Sequence, residues 1–264
     1  MSSDSAMIAP PAPPRQWGFI SAGAVLFVAA SMGAIRLCDR PTCCSTIPMP
    51  GGWSLSKFWL PAAGQGWFGA AAAFLGMWIV MMVAMMLPSL MPVLMNDRRA
   101  GGDMGQTALA ASGYFFVWTV FGMVLYPIGA LLVGLAMGND SISRAAPLAF
   151  GVVVLLAGLN QFAPWKSRQL GCCRAAAPAT PRALDSTGAW KFGLRLAGHC
   201  IPCCLGFMLI LIILGAMDLT AMLLLTIAIT LERLMANPVR VARASGAVIV
   251  LAALFIIARA MRLV

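Results

Sequence analysis

Apolar residues run along this chain in blocks near the ~20 residues that a helix needs to cross a bilayer, separated by short polar or Pro/Gly-rich breaks. Seven blocks can be read, at 17–35, 67–95, 107–137, 146–163, 200–217, 219–234 and 244–262. The sixth is short and ends in Glu232 and Arg233, so it reads either as a span or as half of a re-entrant pair turning at Met217-Asp218-Leu219. The pattern predicts an all-α fold, a polytopic membrane helix bundle with six or seven transmembrane helices. Residues 17–264 form a single transmembrane helical domain in this reading, and the Pro- and Ala-rich residues 1–16 a disordered cytoplasmic tail. Arg15 before an apolar run also resembles a signal peptide, with Val28-Ala29-Ala30 or Met32-Gly33-Ala34 as cleavage candidates. The near-spanning length of the run favours an uncleaved anchor.

Composition agrees with a membrane class: 61% of the residues are hydrophobic and 10% charged, against roughly 25% charged in soluble domains. There is no nucleotide-binding fingerprint, no internal repeat and no polar stretch long enough for a soluble domain. A net charge of +10 would suggest nucleic acid in a soluble protein. Here the basic residues sit in short loops, where membrane topology and lipid headgroups account for them and no nucleic-acid partner is expected. With the N-terminus inside, the cytoplasmic segments hold twelve Lys and Arg and the opposite side six. The expectation is a multi-pass protein of the bacterial inner membrane with a cytoplasmic N-terminus.

Two clusters carry chemistry. Cys200-Ile201-Pro202-Cys203-Cys204 combines a CxxC pair with a vicinal pair, and His199, the only histidine, adjoins it. Read as a helix start, with Pro202 in the first turn, the CxxC would gain thiolate character from the helix dipole. The plain alternative is that cysteine is a small, readily buried residue, and that His199 caps a helix or sits among headgroups. The second cluster is thioether-rich: Trp78, Met81, Met82, Met85 and Ser89 share one helical face, Met82 and Met86 form a neighbouring pair, and Pro88 follows. Any single methionine here is well explained by packing. Four in six positions, before a proline, suit a soft ion such as Cu(I). Both clusters fall in the cytoplasmic leaflet, predicting a shared pocket between the second and fifth helices. Cys172 and Cys173 lie in a basic loop on the same side. Cys38, Cys43 and Cys44 lie in the first outward loop, as a disulfide with one spare thiol, a metal inlet or inert thiols.

Four blocks in order then carry a family resemblance: WIVMMVAMMLPS (78–89), GYFFVW (113–118), AGLNQFAPWKSRQLGCCR (157–174) and CIPCCLGFMLILIILGAMDL (200–219). Over roughly 67–254 the chain resembles a bacterial family of metal-binding integral membrane proteins, a domain of unknown function associated with copper. The resemblance matches Lys166, Cys173 and Arg174 to the family pattern. Gln169 stands where the family has a cysteine, Leu196 where it has a histidine (His199 lies one turn along), and Leu205 where it has an aromatic. The family's full ligand set therefore does not carry over.

The metal-ligand candidates are Cys200, Cys203, Cys204, His199, Met81, Met82, Met85, Met86 and Cys173. The leading reading is a binding and transfer protein, rather than an enzyme, that handles Cu(I) at the membrane with a cuproenzyme or copper chaperone as partner. A transmembrane thiol–disulfide protein using Cys200 and Cys203 is the second reading. An accessory subunit of a larger membrane complex or a homo-oligomer is the third.

Overall fold

The computed structural model describes residues 14–38, 46–61, 64–99, 103–175, 185–214, 218–235 and 237–263. Among them are eight α-helices: α1 (Pro14–Cys38), α2 (Trp67–Arg99), α3 (Met104–Gly138), α4 (Asp140–Asn160), α5 (Pro164–Ala175), α6 (Ser186–Leu214), α7 (Leu219–Leu234) and α8 (Pro238–Leu263). The helical reading holds, with one addition. Thr46–Met49 (β1) and Trp53–Ser56 (β2) form an antiparallel hairpin, followed by a 3₁₀ turn at Lys57–Trp59. Trp53 Nε1 donates to the Ser143 carbonyl at 2.9 Å and Ser143 Oγ to the Pro50 carbonyl at 3.0 Å, pinning the hairpin to the start of α4. Residues 1–13, Cys43 and Cys44 lie outside the described residues, as does the Cys38 side chain.

Five helices are long and apolar enough to cross a membrane by length and composition: Trp67–Asn96, Met104–Gly138, Asp140–Asn160, Ser186–Leu214 and Pro238–Arg262. This is fewer than the six or seven expected. Within α1 the apolar stretch is Ser21–Arg36. Helix α7 has 16 residues, about 24 Å at 1.5 Å per residue, short of a ~30 Å hydrocarbon core.

Side-chain caps set where several helices begin. Asp103 and Gln106 form a capping box on α3, Asn139 caps α4, and Asp218 accepts from the Thr220 and Ala221 amides at 2.8 and 3.0 Å to start α7. Met217, the first residue of the expected turn, lies outside the described residues. At α6 the Thr187 hydroxyl and the Gly188 amide donate to the Asp185 carboxylate, which holds it below the usual carboxylate range.

Packing follows the small residues. Helices α3 and α6 share the most extensive contact in the bundle, and a side chain at Gly193 would collide with the Ala110 carbonyl. Such close approach lets helices associate where lipid offers no hydrophobic drive. Of three glycines on α3, Gly122 lies against the Trp78 indole and Gly129 against the Trp59 indole, whereas Gly134 meets nothing within 4 Å. Helices α4 and α8 run antiparallel in close contact: a Cβ on Gly151 would approach Ile257 at 2.5 Å, and one on Gly246 would approach Gln161 at 2.6 Å. Gly246, two turns into α8, therefore lies level with the end of α4.

Charges close that end of the bundle. Glu232, in the last turn of α7, is buried and pairs with buried Lys166 of α5 at 2.9 Å. Its other oxygen accepts from Ser245 of α8 at 2.8 Å, while Lys166 also donates to Gln161 and lies 4.8 Å from the Phe207 ring centre. Lys166 and Arg233 were counted as loop charges in orienting the chain. Both are buried inside the bundle, and without them the count becomes ten against six, with the same sign.

Two outcomes test this packing. Lys166→Met should cost about 3–5 kcal/mol by stranding Glu232, and the Lys166→Met/Glu232→Leu double variant should recover most of it; unfolding in detergent micelles measures the cycle, and additive losses would contradict the pairing. Gly193→Leu should cost at least about 1–3 kcal/mol by parting α3 from α6, whereas Gly134→Ala should be neutral or gain up to about 1 kcal/mol, read from the same melts.

Candidate functional site

The buried face of α2 is the one its spacing foretold. Trp78, Met81, Met82, Met85, Met86 and Ser89 are all 2% exposed or less. Trp78 Nε1 donates to the Trp118 carbonyl at 2.9 Å, fixing α2 against α3. Above the methionines Phe58, Trp59, Phe74, Trp78 and Tyr126 stack with centroid separations of 4.6–6.5 Å. The helix continues through Pro88 and Pro92.

The cysteines do not open a helix. Asp185 caps α6, whose first residue, Ser186, stands fourteen residues before Cys200, about 21 Å along the axis at 1.5 Å per residue. Pro202 lies inside the helix, so the dipole argument for a CxxC at a helix start is overturned. The reason is the small-residue face of 189–197: Ala189, Gly193 and Ala197 let α6 lie along α3 for several turns before the cysteines arrive. Cys200, Cys203 and Cys204 are all buried and outside any disulfide.

Cys200 and Cys204 are one helical turn apart, with sulfurs at 3.8 Å. The Tyr114 hydroxyl of α3 hydrogen-bonds the Cys200 sulfur at 2.9 Å. From the other side Arg233 of α7 donates through Nη2 to Cys200 Sγ at 2.6 Å and to Cys204 Sγ at 3.6 Å, and through Nη1 to Ser89 Oγ of α2 at 3.2 Å. One guanidinium thus joins the cysteine helix to the methionine helix. Ser89 in turn donates to the Met86 carbonyl at 2.9 Å.

The expected pocket between the two cluster-bearing helices takes a different form. Helix α2 packs against α1, α3 and α7, and α6 against α3, α4, α5 and α7, so Arg233 and Tyr114 mediate between the clusters. The methionines and the three cysteines nonetheless belong to one buried core. At 1.5 Å of rise per residue, Met85 and Met86 lie about 5–6 Å, and Met81 about 12 Å, from the Ser89 level toward the hairpin end. His199 is exposed and faces α5, with Nδ1 at 3.3 Å from Gln169 Oε1, away from the buried cysteine pair. The side chains of Cys172 and Cys173, the latter a candidate ligand, lie outside the described residues. Among the described residues no three His, Cys, Asp or Glu side chains gather closely enough to hold a metal ion by themselves.

A metal bonded to both sulfurs at roughly 2.3 Å would subtend an angle near 110° at a 3.8 Å separation, and opening the pair to about 4.6 Å would make the geometry linear. Two sulfurs one turn apart on one helix are soft donor atoms. Beside the site, a cavity of about 160 Å³ lined by Gln161, Lys166, Ser167, Leu170 and Arg243 reaches the Lys166–Glu232 pair, next in sequence to Arg233.

Spacing revealed the methionine face and the cysteine cluster but missed Arg233, Glu232 and Tyr114. The available signal was the Glu-Arg pair ending an apolar helix, since charges at membrane depth are costly and functional by default. No curated protein and no solved structure matches the chain. A family profile described as copper chaperone, PpoB2, matches residues 75–256, a stretch that contains Ser89, Tyr114, the cysteine pair and Arg233. The chain belongs to the PpoB2 family of copper chaperones.

Proposed function

We propose that this protein binds Cu(I) within the bacterial inner membrane, through Cys200 and Cys204, and hands it on for delivery to a cuproenzyme. The observation that carries the reading is the buried pair of sulfurs 3.8 Å apart, with Arg233 bridging it to Ser89 at the foot of the methionine face. Met85, Met86, Met82 and Met81 extend the soft-donor line away from that pair along α2, a route for an ion exchanging between thiolate and thioether. Cys203 and Cys173 are reserve donors in this scheme, and His199 with Gln169 lies at its margin. Full burial of the three thiols speaks against thiol–disulfide exchange, because reactive cysteines sit in partly exposed settings.

The proposed topology keeps the N-terminus cytoplasmic. Helix α1 runs antiparallel to α2, with Gly23 against Met91 and Gly33 against Val80, and serves as a sixth span. Helix α7 ends level with the start of α5, where Glu232 meets Lys166 and Ser245, and serves as a short seventh. The cysteine pair and Ser89 then share the cytoplasmic leaflet.

The two halves of the reading have separate tests. On purified protein, competition against a chromogenic Cu(I) chelator should show Cys200→Ser/Cys204→Ser losing affinity by about a hundredfold or more. Met81→Leu/Met85→Leu should weaken binding by a smaller factor at a folding cost under about 1.5 kcal/mol. Undiminished affinity in the serine double variant would sink the dithiol site, and undiminished affinity in the leucine variant would return those methionines to packing. Membrane-impermeant maleimide on intact cells should label the Cys38–Cys44 loop and spare Cys172 and Cys173; the reverse pattern would invert the topology.

A further inference from the structure

Arg233 gives the cysteine pair a property that neither sulfur supplies. Its guanidinium stands within hydrogen-bond distance of both Cys200 and Cys204, at 2.6 and 3.6 Å, in a place where Cys200 is fully buried. Arginine keeps its charge in proteins, so whatever enters between the sulfurs does so beside a fixed positive charge. We infer that Arg233 is the residue that selects ion charge at this site, admitting monovalent soft cations and rejecting divalent ones. The inference rests on the dithiol reading above and adds the basis of its selectivity.

Charge bookkeeping carries the argument. Metal-bound cysteines are deprotonated, so two thiolates and one Cu(I) make a unit of charge −1. Beside the guanidinium that unit is neutralised. Zn(II) between the same sulfurs is already neutral, and its extra positive charge is set against Arg233 in a low-dielectric interior where such repulsion is strong. No electron moves: two sulfur–metal bonds form, the thiol protons leave to water or to the donor's freed thiolates, and the ion enters and leaves in the same oxidation state. The neighbouring Lys166–Glu232 pair carries no net charge of its own. Soft thiolates alone do not make the distinction, because they suit zinc as well as Cu(I).

The test uses the full chain in detergent micelles or nanodiscs, with Ag(I) as a redox-inert monovalent probe and Zn(II) as the divalent one. The reading is the ratio of the two affinities. Wild type should favour Ag(I). Arg233→Met should shift the ratio toward Zn(II) by about a hundredfold, on the scale of losing one buried charge partner, whereas Arg233→Lys should keep the wild-type preference. Ser89→Asp provides an independent route, since a carboxylate in place of the Ser89 hydroxyl, 3.2 Å from Nη1, offsets the guanidinium without removing it. It should shift the ratio the same way, and it decides the matter if Arg233→Met does not fold. A ratio unchanged in both Arg233→Met and Ser89→Asp overturns the inference while leaving the dithiol site intact. So does parallel tightening of both ions, which would make Arg233 a plug rather than a selector. If wild type binds neither Ag(I) nor Cu(I) through Cys200 and Cys204, the copper reading itself falls first.

Discussion

Two adjacent charges at the end of one short helix organise the interior of this protein. Glu232 and Arg233 terminate α7 buried inside the bundle, and charges so placed are tolerated only when paired and hydrogen-bonded. Each turns to a different side. Glu232 takes Lys166 of α5 and Ser245 of α8, and Arg233 takes Ser89 of α2 and the cysteines of α6. Tyr114 of α3 then completes the Cys200 surroundings. Five helices are held in register by the requirement that two charges be satisfied.

That requirement explains why the soft-donor helices need not pack directly on each other. The long α3–α6 contact is built on Gly193, Ala197 and Ala110, a seam of small residues that carries the cysteines to the Tyr114 level. The α2–α3 contact is fixed further along by the Trp78 indole seated against Gly122. With α3 as the common partner, the methionine face and the cysteine pair reach the same buried core from different directions. The guanidinium spans the remaining gap.

Much of this was legible in the chain. The 3.6-residue rhythm of Trp78, Met81, Met82, Met85 and Ser89 identified the buried face of α2, whereas the cysteines read as a CxxC and a vicinal pair, and the pairing of Cys200 with Cys204 emerged only from the structure. Helix starts were less legible. An apolar block marks where a helix can lie in lipid, whereas Asp185 and the Ala/Gly face that follows decide that α6 begins well before its cysteines. The hairpin was hidden because Trp53 and Ser143 find each other only after α3 and α4 are folded against it. Lys166 looks like an ordinary loop charge in sequence, and Arg233 like the polar end of a short apolar block. Their burial depends on partners up to 144 residues away, as with Ser89 and Arg233, and no local pattern encodes such a distance.

The clamp at the end of α7 also bears on how the chain is assembled in the membrane. Helix α7 carries a carboxylate and a guanidinium in its last turn, and burying either of them without its partners would be strongly destabilising. Those partners lie both upstream, in α2, α5 and α6, and downstream at Ser245 of α8. Docking of α7 into the bundle is therefore a collective event: its charges are held by neighbours on both sides in sequence, and the last hydrogen bond to Glu232 forms only when the following helix is in place. The thiol pair acquires its electrostatic surroundings at the same late stage, so the site matures with the closing of the bundle rather than with the synthesis of its cysteines.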